Sequence, residues 1–320
     1  MTYDITYIVA AYNAEKTVER AISSALAQTG TEVQVVVADD CSTDRTGEIV
    51  KAMERADRRV RYIRLSRNSG PAAARNCAIG QAEGRWIGIL DADDTLEPLR
   101  SANLLARQDG AAAIIDNLVV HTPQGEHLLH ETRLLADMRR LELPYFIDHN
   151  MLFSGRFNLG YVKPVVLRSF LVEQGIAYNE QVRIGEDYLF LALILARGGV
   201  CVVEPSAGYR YTSAAGSISQ VLTRGHVEAM LHGDAAFVET VKMDGEALKA
   251  QRRRTQNLKR ASAYLRIVDQ LKERKLSAAI RDMVLNPQAA WHLHMPVRVR
   301  IAALMTAFQS LSSATRRLWK

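Results

Sequence analysis

The sequence predicts an α/β protein: a mostly parallel, Rossmann-like sheet with helices on both faces, followed by a basic helical extension. Three observations carry that expectation. Short apolar runs alternate with helix-period segments through the first 90 residues. Three of those runs stop at polar or acidic residues: Tyr12-Asn13, Asp39-Asp40, and Asp91-Ala92-Asp93-Asp94. Beyond about residue 221 no strand pattern recurs.

Each element follows from its residues. Thr2 to Ala11 is β-rich and apolar, and Asn13 is placed to cap a helix from about Ala14. Val18, Ala21, Ile22, Ala25 and Leu26 recur at helical spacing, and Gly30 ends that helix. Val33 to Ala38 is a second continuous apolar strand, and Ser42-Thr43-Asp44 supplies caps for a helix to about Arg55. Val60 to Leu65 alternates apolar and basic residues, as a half-buried strand does. Pro71 opens the next helix, which runs to about Ala82, and Trp86 to Leu90 is the next buried strand. Residues 111–120 read as a strand, 121–143 as an excursion with a short helix, and Phe146 to Val162 as an aromatic, Gly- and Asn-rich loop facing a ligand or packed against the core. Val165 to Gln174 reads as a helix. Glu186-Asp187 begins an apolar helix that continues to Ala196. Val200 to Glu204 is a strand, and Tyr209 to Ser219 is a basic, hydroxyl-rich loop suited to phosphate.

Bulk composition excludes several classes. With 48% hydrophobic and 24% charged residues, the chain is globular rather than disordered. Cys41, Cys77 and Cys201 are widely spaced, so zinc is not indicated and free thiols in a reducing compartment are expected. No signal-peptide pattern opens the sequence, and no apolar run approaches the roughly 18 residues that span a bilayer. The net charge of +6 hides an asymmetry. Residues 251–320 hold 15 Lys/Arg against 3 Asp/Glu, which leaves 26 against 32 for residues 1–250. A division follows at about residue 220: an α/β domain over 1–220 and a basic helical region over 221–320.

In the extension, Ile301, Leu304, Met305, Phe308 and Leu311 form an apolar stripe flanked by Arg298, Arg300, Arg316, Arg317, Trp319 and Lys320. Such a helix suits an anionic membrane surface, the protein's own core or a partner subunit. No aromatic-interleaved basic platform accompanies it, so nucleic acid is not an expected partner. Arg252-Arg253-Arg254 and Lys272-Glu273-Arg274-Lys275 read as a solvated face. A cytoplasmic location is expected, peripheral at the cytoplasmic face of the membrane.

In such sheets ligands bind beyond the C-terminal strand ends, where Tyr12, Asp40 and Asp93 all fall. Three carboxylates within Asp91–Asp94 repel one another unless a cation lies among them, and oxygen-seeking Mg2+ or Mn2+ is the usual solution. The competing reading is a polar turn. No GxGxxG follows the first strand and no GxxxxGK[ST] occurs, which disfavours a dinucleotide oxidoreductase or a P-loop kinase. Glu186 and Asp187 complement a helix dipole, or they supply a carboxylate for proton transfer.

The chain resembles the family 2 glycosyltransferases of the GT-A fold over residues 3–220. The likeness rests on Ile8-Val9-Ala10-Ala11-Tyr12-Asn13, Val36 to Asp44, Asn68-Ser69-Gly70 leading to Ala74-Arg75-Asn76, Leu90-Asp91-Ala92-Asp93-Asp94, and Glu186-Asp187. It departs where Cys41 stands for the usual Gly and where Ala10-Ala11 stands for Pro, Ser or Thr. The resemblance implies metal-dependent, inverting transfer from a nucleoside-diphosphate sugar, a UDP-sugar by expectation, to a glycan or lipid-linked glycan acceptor in surface polysaccharide assembly. It implies that Ala11, Tyr12, Asn13, Asp40, Arg75 and Asp93 hold the donor nucleotide. Asp93 and Asp94 would hold Mn2+ or Mg2+, and Asp187 with Glu186 beside it would be the catalytic base. Arg210 and Ser217 would close on the donor phosphates. The alternative is a non-catalytic nucleotide-sugar-binding protein on the same fold.

Overall fold

The structure, a computed structural model, describes residues 3–122, 125–154, 158–182, 184–212 and 222–294. The first half alternates as expected. β1 (Ile5–Ala11), α1 (Val18–Leu26), β2 (Val33–Asp39), α2 (Thr46–Ala56), β3 (Val60–Arg64), α3 (Pro71–Ile79) and β4 (Trp86–Asp91) follow one another. The short β5 (Thr95–Leu96) and α4 (Arg100–Leu105) lead to β6 (Ala113–Thr122), which pairs with β7 (Gly125–Leu128). Then come α5 (Thr132–Asp137), β8 (Arg140–Leu141), α6 (Leu143–Asp148), β9 (Val165–Leu167), α7 (Arg168–Glu173), α8 (Glu186–Ala196) and β10 (Cys201–Thr212).

One sheet runs β3-β2-β1-β4-β9-β6-β10-β5. β1 pairs in parallel with β2 and β4, and β2 with β3. The parallel order brings the C-terminal tips of β1, β2 and β4 to one edge. All seven residues of β2 are buried, and so is every residue of β1 except Ala10. Strands covered on both faces read as continuous apolar runs, which is the pattern of Val33 to Ala38.

The helix expected over Val165 to Gln174 is instead β9 followed by α7. Val165 and Val166 are fully buried between β4 and β6, antiparallel to both. β-branched side chains fit that slot, and the helical pattern begins only at Arg168. The loop expected from Tyr209 begins as strand: β10 continues to Thr212, with register irregularities around Ala207. The segment from Phe146, expected as a loop, opens inside α6.

The extension is helical among the described residues: α9 (Arg224–Thr240), α10 (Gly245–Lys272), α11 (Leu276–Leu285) and α12 (Pro287–Trp291). Asp244 caps α10, its Oδ1 accepting from the Ala247 N–H at 2.7 Å. The main core continues into this region through Phe237 and Ala250. Arg252 and Arg253 are exposed, as a solvated face requires, but Arg254 is not. It is buried, donates to Asp234 Oδ2 at 2.8 Å, and lies with its guanidinium 3.6 Å from the centre of the Tyr188 ring on α8. Residue 254 falls on the buried side of α10, where an Arg is retained only with a partner. The apolar stripe from Ile301 to Leu311 lies outside the described residues. Among those described, no helix is long and apolar enough to cross a membrane.

Gly88 shows how closely the sheet is covered. A Cβ there would stand 2.5 Å from the Tyr7 ring, and Tyr7 is fully buried. Gly88→Val is therefore expected to cost about 3 kcal/mol through overpacking, read as a lower urea midpoint at unchanged m-value.

Candidate active site

The strand tips open on a cavity of about 620 Å3. Tyr12 and Asn13 after β1, Arg75 on α3, and Asp91 and Asp93 at the end of β4 line it. Glu186 and Asp187, in the first turn of α8, face the same space. Tyr12 is half exposed, and Asn13 adopts a left-handed φ of +50° that Asn tolerates. Asn13 Oδ1 accepts from the Thr43 N–H at 2.9 Å, which ties the tip of β1 to the turn after β2.

The centre of the site is a charge cluster. Arg75 donates from Nη2 to Asp91 Oδ1 at 2.8 Å and from Nη1 to Glu186 Oε1 at 2.9 Å. Lys163 Nζ lies 2.7 Å from Asp91 Oδ2 and 2.8 Å from Asp187 Oδ2. Two buried cations thus stitch three carboxylates from β4 and α8. Asp187 Oδ1 lies 3.1 Å from Arg75 Nη1 without hydrogen-bond alignment, and it is a buried acceptor that no donor satisfies. Lys163 is itself fixed from below: its carbonyl accepts from Arg100 Nη2 at 2.7 Å, and Arg100 makes a bidentate pair with Asp116 at 2.8 Å.

Electrostatics follow from this layout. Burial alone raises the Asp91 carboxyl, but Lys163 and Arg75 reverse that and hold it well below the ordinary carboxylate range. Burial pushes Glu186 up, and the neighbouring Asp187 adds to the rise. Burial and then Asp91 raise Asp93.

The residues expected at the site divide. Tyr12, Asn13, Arg75, Asp93, Glu186 and Asp187 lie on the cavity wall; Ala11, Asp40, Asp94 and Arg210 do not. Ala11 is buried as the last residue of β1, and its carbonyl accepts from the Asp40 N–H at 2.8 Å. Asp40 is 4% exposed and accepts from the Ser69 and Gly70 N–H groups at 2.7 and 2.8 Å, anchoring the loop that opens α3. Asp94 is 1% exposed and turned into the fold. Its Oδ2 accepts from the Tyr209 hydroxyl and its Oδ1 from the Thr212 N–H, each at 2.7 Å. Burial beside Asp91 and Asp93 pushes its carboxyl up to about 8. Of the two residues expected on a metal, Asp93 opens to the cavity and Asp94 is turned away from it. Arg210, expected near phosphate, is paired with Glu97 and Glu126 away from the cavity, because successive strand residues face opposite sides and Tyr211 takes the cavity side. Ser217 lies outside the described residues.

Lys163, Tyr161, Tyr211, Met230 and Arg254 also line the cavity and were not singled out from sequence as site residues. Lys163 had a readable signal: it is the one charged residue in Tyr161-Val162-Lys163-Pro164-Val165-Val166, and a Lys in such a run needs a partner.

Among the described residues no group of three or more His, Cys, Asp or Glu is arranged to hold a metal ion. Asp93 fits a different kind of site. Its carboxylate forms no ion pair with any described residue, and Mg2+ and Mn2+ commonly take one or two carboxylates, waters and substrate phosphate oxygens.

The cluster predicts its own pH dependence. Asp91 is depressed by folding, so its ion pairs stabilise the protein above its ordinary value of 3.8 and that stabilisation is lost as acid protonates it. Lys163→Met removes much of it and leaves Arg75 as the one cation among Asp91, Glu186 and Asp187, at a cost of about 3 kcal/mol near pH 7. The difference in melting temperature from the unaltered protein is expected to persist down to about pH 4 and to shrink below it.

Comparison with known proteins places this geometry. The profile of the family described as "Glycosyl transferase family 2" matches residues 6–168. The succinoglycan biosynthesis protein ExoO of Rhizobium meliloti (strain 1021) is 47% identical over 313 residues, 97% of this chain and 89% of the relative. The fold is shared with S. aureus TarS 1-349 in complex with UDP-GlcNAc (TM-score 0.61, 20% identity, 82% of this chain and 71% of that one). It is shared also with the mannosyltransferase PcManGT of Pyrobaculum calidifontis, in complex with GDP-Man and Mn2+ (TM-score 0.60, 17% identity, 94% of this chain and 81% of that one). The α/β sheet is thus of the GT-A type, and the chain is a glycosyltransferase that belongs to glycosyltransferase family 2.

Proposed function

We propose that this glycosyltransferase moves a sugar, with inversion, from a nucleoside-diphosphate donor to a hydroxyl of a growing glycan in polysaccharide assembly. The observation that carries the reading is Asp187. One carboxylate oxygen is held by Lys163, and the other is buried at the cavity without a hydrogen-bond donor. An acceptor hydroxyl supplies that missing donor. The kinship with ExoO supports a place in polysaccharide biosynthesis.

The step balances on the chain's own groups. The acceptor O–H points at Asp187 Oδ1, and its proton passes to that oxygen as the acceptor oxygen attacks the anomeric carbon. The nucleoside diphosphate leaves with the bonding pair. One base and one direction of attack give inversion. Glu186, paired with Arg75 at 2.9 Å, keeps that guanidinium beside Asp187. Arg75, expected to face the diphosphate, is instead committed to Asp91, Glu186 and Asp187, so its work is to fix the base. Tyr12 offers an exposed ring at the tip of β1 for the nucleobase. Each Asp40 oxygen keeps a second lone pair, which lets it take an imide N–H such as uracil's while it holds Ser69 and Gly70. Asp93 is the residue that would hold Mn2+ or Mg2+, and when bound that ion offsets charge developing on the leaving diphosphate. Peripheral membrane contact through the basic C-terminal helices, and a division of the chain near residue 220, belong to the same proposal.

Asp187→Asn is expected to lower kcat by about 100- to 10,000-fold while nucleoside-diphosphate affinity holds. Turnover at the unaltered rate would refute the assignment of the base. Asp93→Ala is expected to abolish the Mn2+-dependent part of UDP binding in calorimetry. Asp94→Ala should act chiefly on the melting temperature, since its carboxylate serves Tyr209 and Thr212.

A further inference from the structure

The cavity is walled on one side by strand tips and on another by segments of the chain that follow them. Tyr161, Tyr211, His226, Met230 and Arg254 form that second wall. It lies directly against the base: a Cβ placed on Gly185, the residue before Glu186-Asp187, would stand 3.4 Å from Met230 Cγ.

Its chemistry differs from the donor side. Arg254 is its one permanent charge, and that charge is already met by Asp234 at 2.8 Å. The guanidinium also donates to the Asn150 carbonyl and stacks on Tyr188. Among the described residues of this wall no unpaired Lys or Arg is left over for an anionic ligand, and Glu186 and Asp187 border the same space. Tyr161 and Tyr211 meet edge to face with ring centres 6.0 Å apart, and Tyr161 is 40% exposed. An aromatic and thioether surface of this kind suits the C–H face of a pyranose, whose hydroxyl edge remains free to reach Asp187. A carboxylate or phosphate brought here would lose water without gaining a counter-charge.

Resting on the transferase reading above, we propose that this wall is the subsite for the acceptor's terminal sugar, and that it selects a neutral pyranose over an anionic one. The C-terminal helices are then part of the substrate-binding apparatus. Any phosphate of a lipid-linked acceptor lies beyond this subsite.

The test uses the full chain with Mn2+ and a panel of nucleotide sugars, and follows nucleoside-diphosphate release. Acceptors are neutral octyl glucoside, galactoside and mannoside, with octyl glucuronide as the anionic probe. The expected result is that a neutral glycoside raises release above acceptor-free hydrolysis and the glucuronide does not. Met230→Trp and Tyr161→Ala should each raise the acceptor KM by about tenfold or more, with a smaller change in the donor KM. Tyr161→Phe should restore the acceptor KM, which also covers a Met230→Trp that fails to fold. Use of the glucuronide as well as a neutral glycoside overturns the proposal. So does an acceptor KM indifferent to Tyr161 and Met230, or hydrolysis that no neutral glycoside raises. Absence of any release, with or without acceptor, instead overturns the transferase reading and the subsite with it.

Discussion

The bridge from Asp91 through Lys163 and Arg75 to Asp187 is the interaction on which the site depends. Asp91 closes β4, Arg75 rides on α3, and Asp187 begins α8. These elements are distant in sequence, and the bridge is where they register against one another. Without the two cations, three carboxylates would crowd a buried space and drive one another to take up protons. With them, Asp187 is held between Lys163 and Arg75 at the cavity wall. Arg100 and Asp116 form a second buried pair beneath Lys163, so the orientation of Asp187 is set two layers deep.

The Asp91–Asp94 turn divides its labour by direction. Asp91 faces inward to the bridge, Asp93 faces the open cavity, and Asp94 faces β10. Tyr209 joins two of these, accepting from the Asp91 N–H and donating to Asp94. Three acids in four residues therefore do three different things: one pairs with Lys163 and Arg75, one opens to the cavity, and one staples the turn to the far strand.

Much of this was legible in the sequence, for identifiable reasons. Continuous apolar runs such as Val33 to Ala38 belong to strands buried on both faces, and their acidic ends mark strand tips. Helix α8 matched its expected span because an acidic first turn and an apolar body give both boundaries. What stayed hidden depends on tertiary neighbours. β9 is three residues long, and Val165-Val166 reads equally well as the start of a helix. The direction of Asp94 depends on Tyr209, 115 residues away. The burial of Arg254 depends on Asp234, one α-helix earlier, and a run of three arginines gives no hint which one turns inward.

The seat of Arg254 bears on how such chains can be rearranged. Gln251 and Arg254 of α10 meet on Asp234 of α9, and Arg254 also covers Tyr188 on the helix that carries the base. A crossover near residue 220 between two homologous chains would therefore bring together halves of one buried polar lattice. A tail exchanged there brings its own 234–254 pair with it, and that pair has to fit the ring at position 188 of the new host.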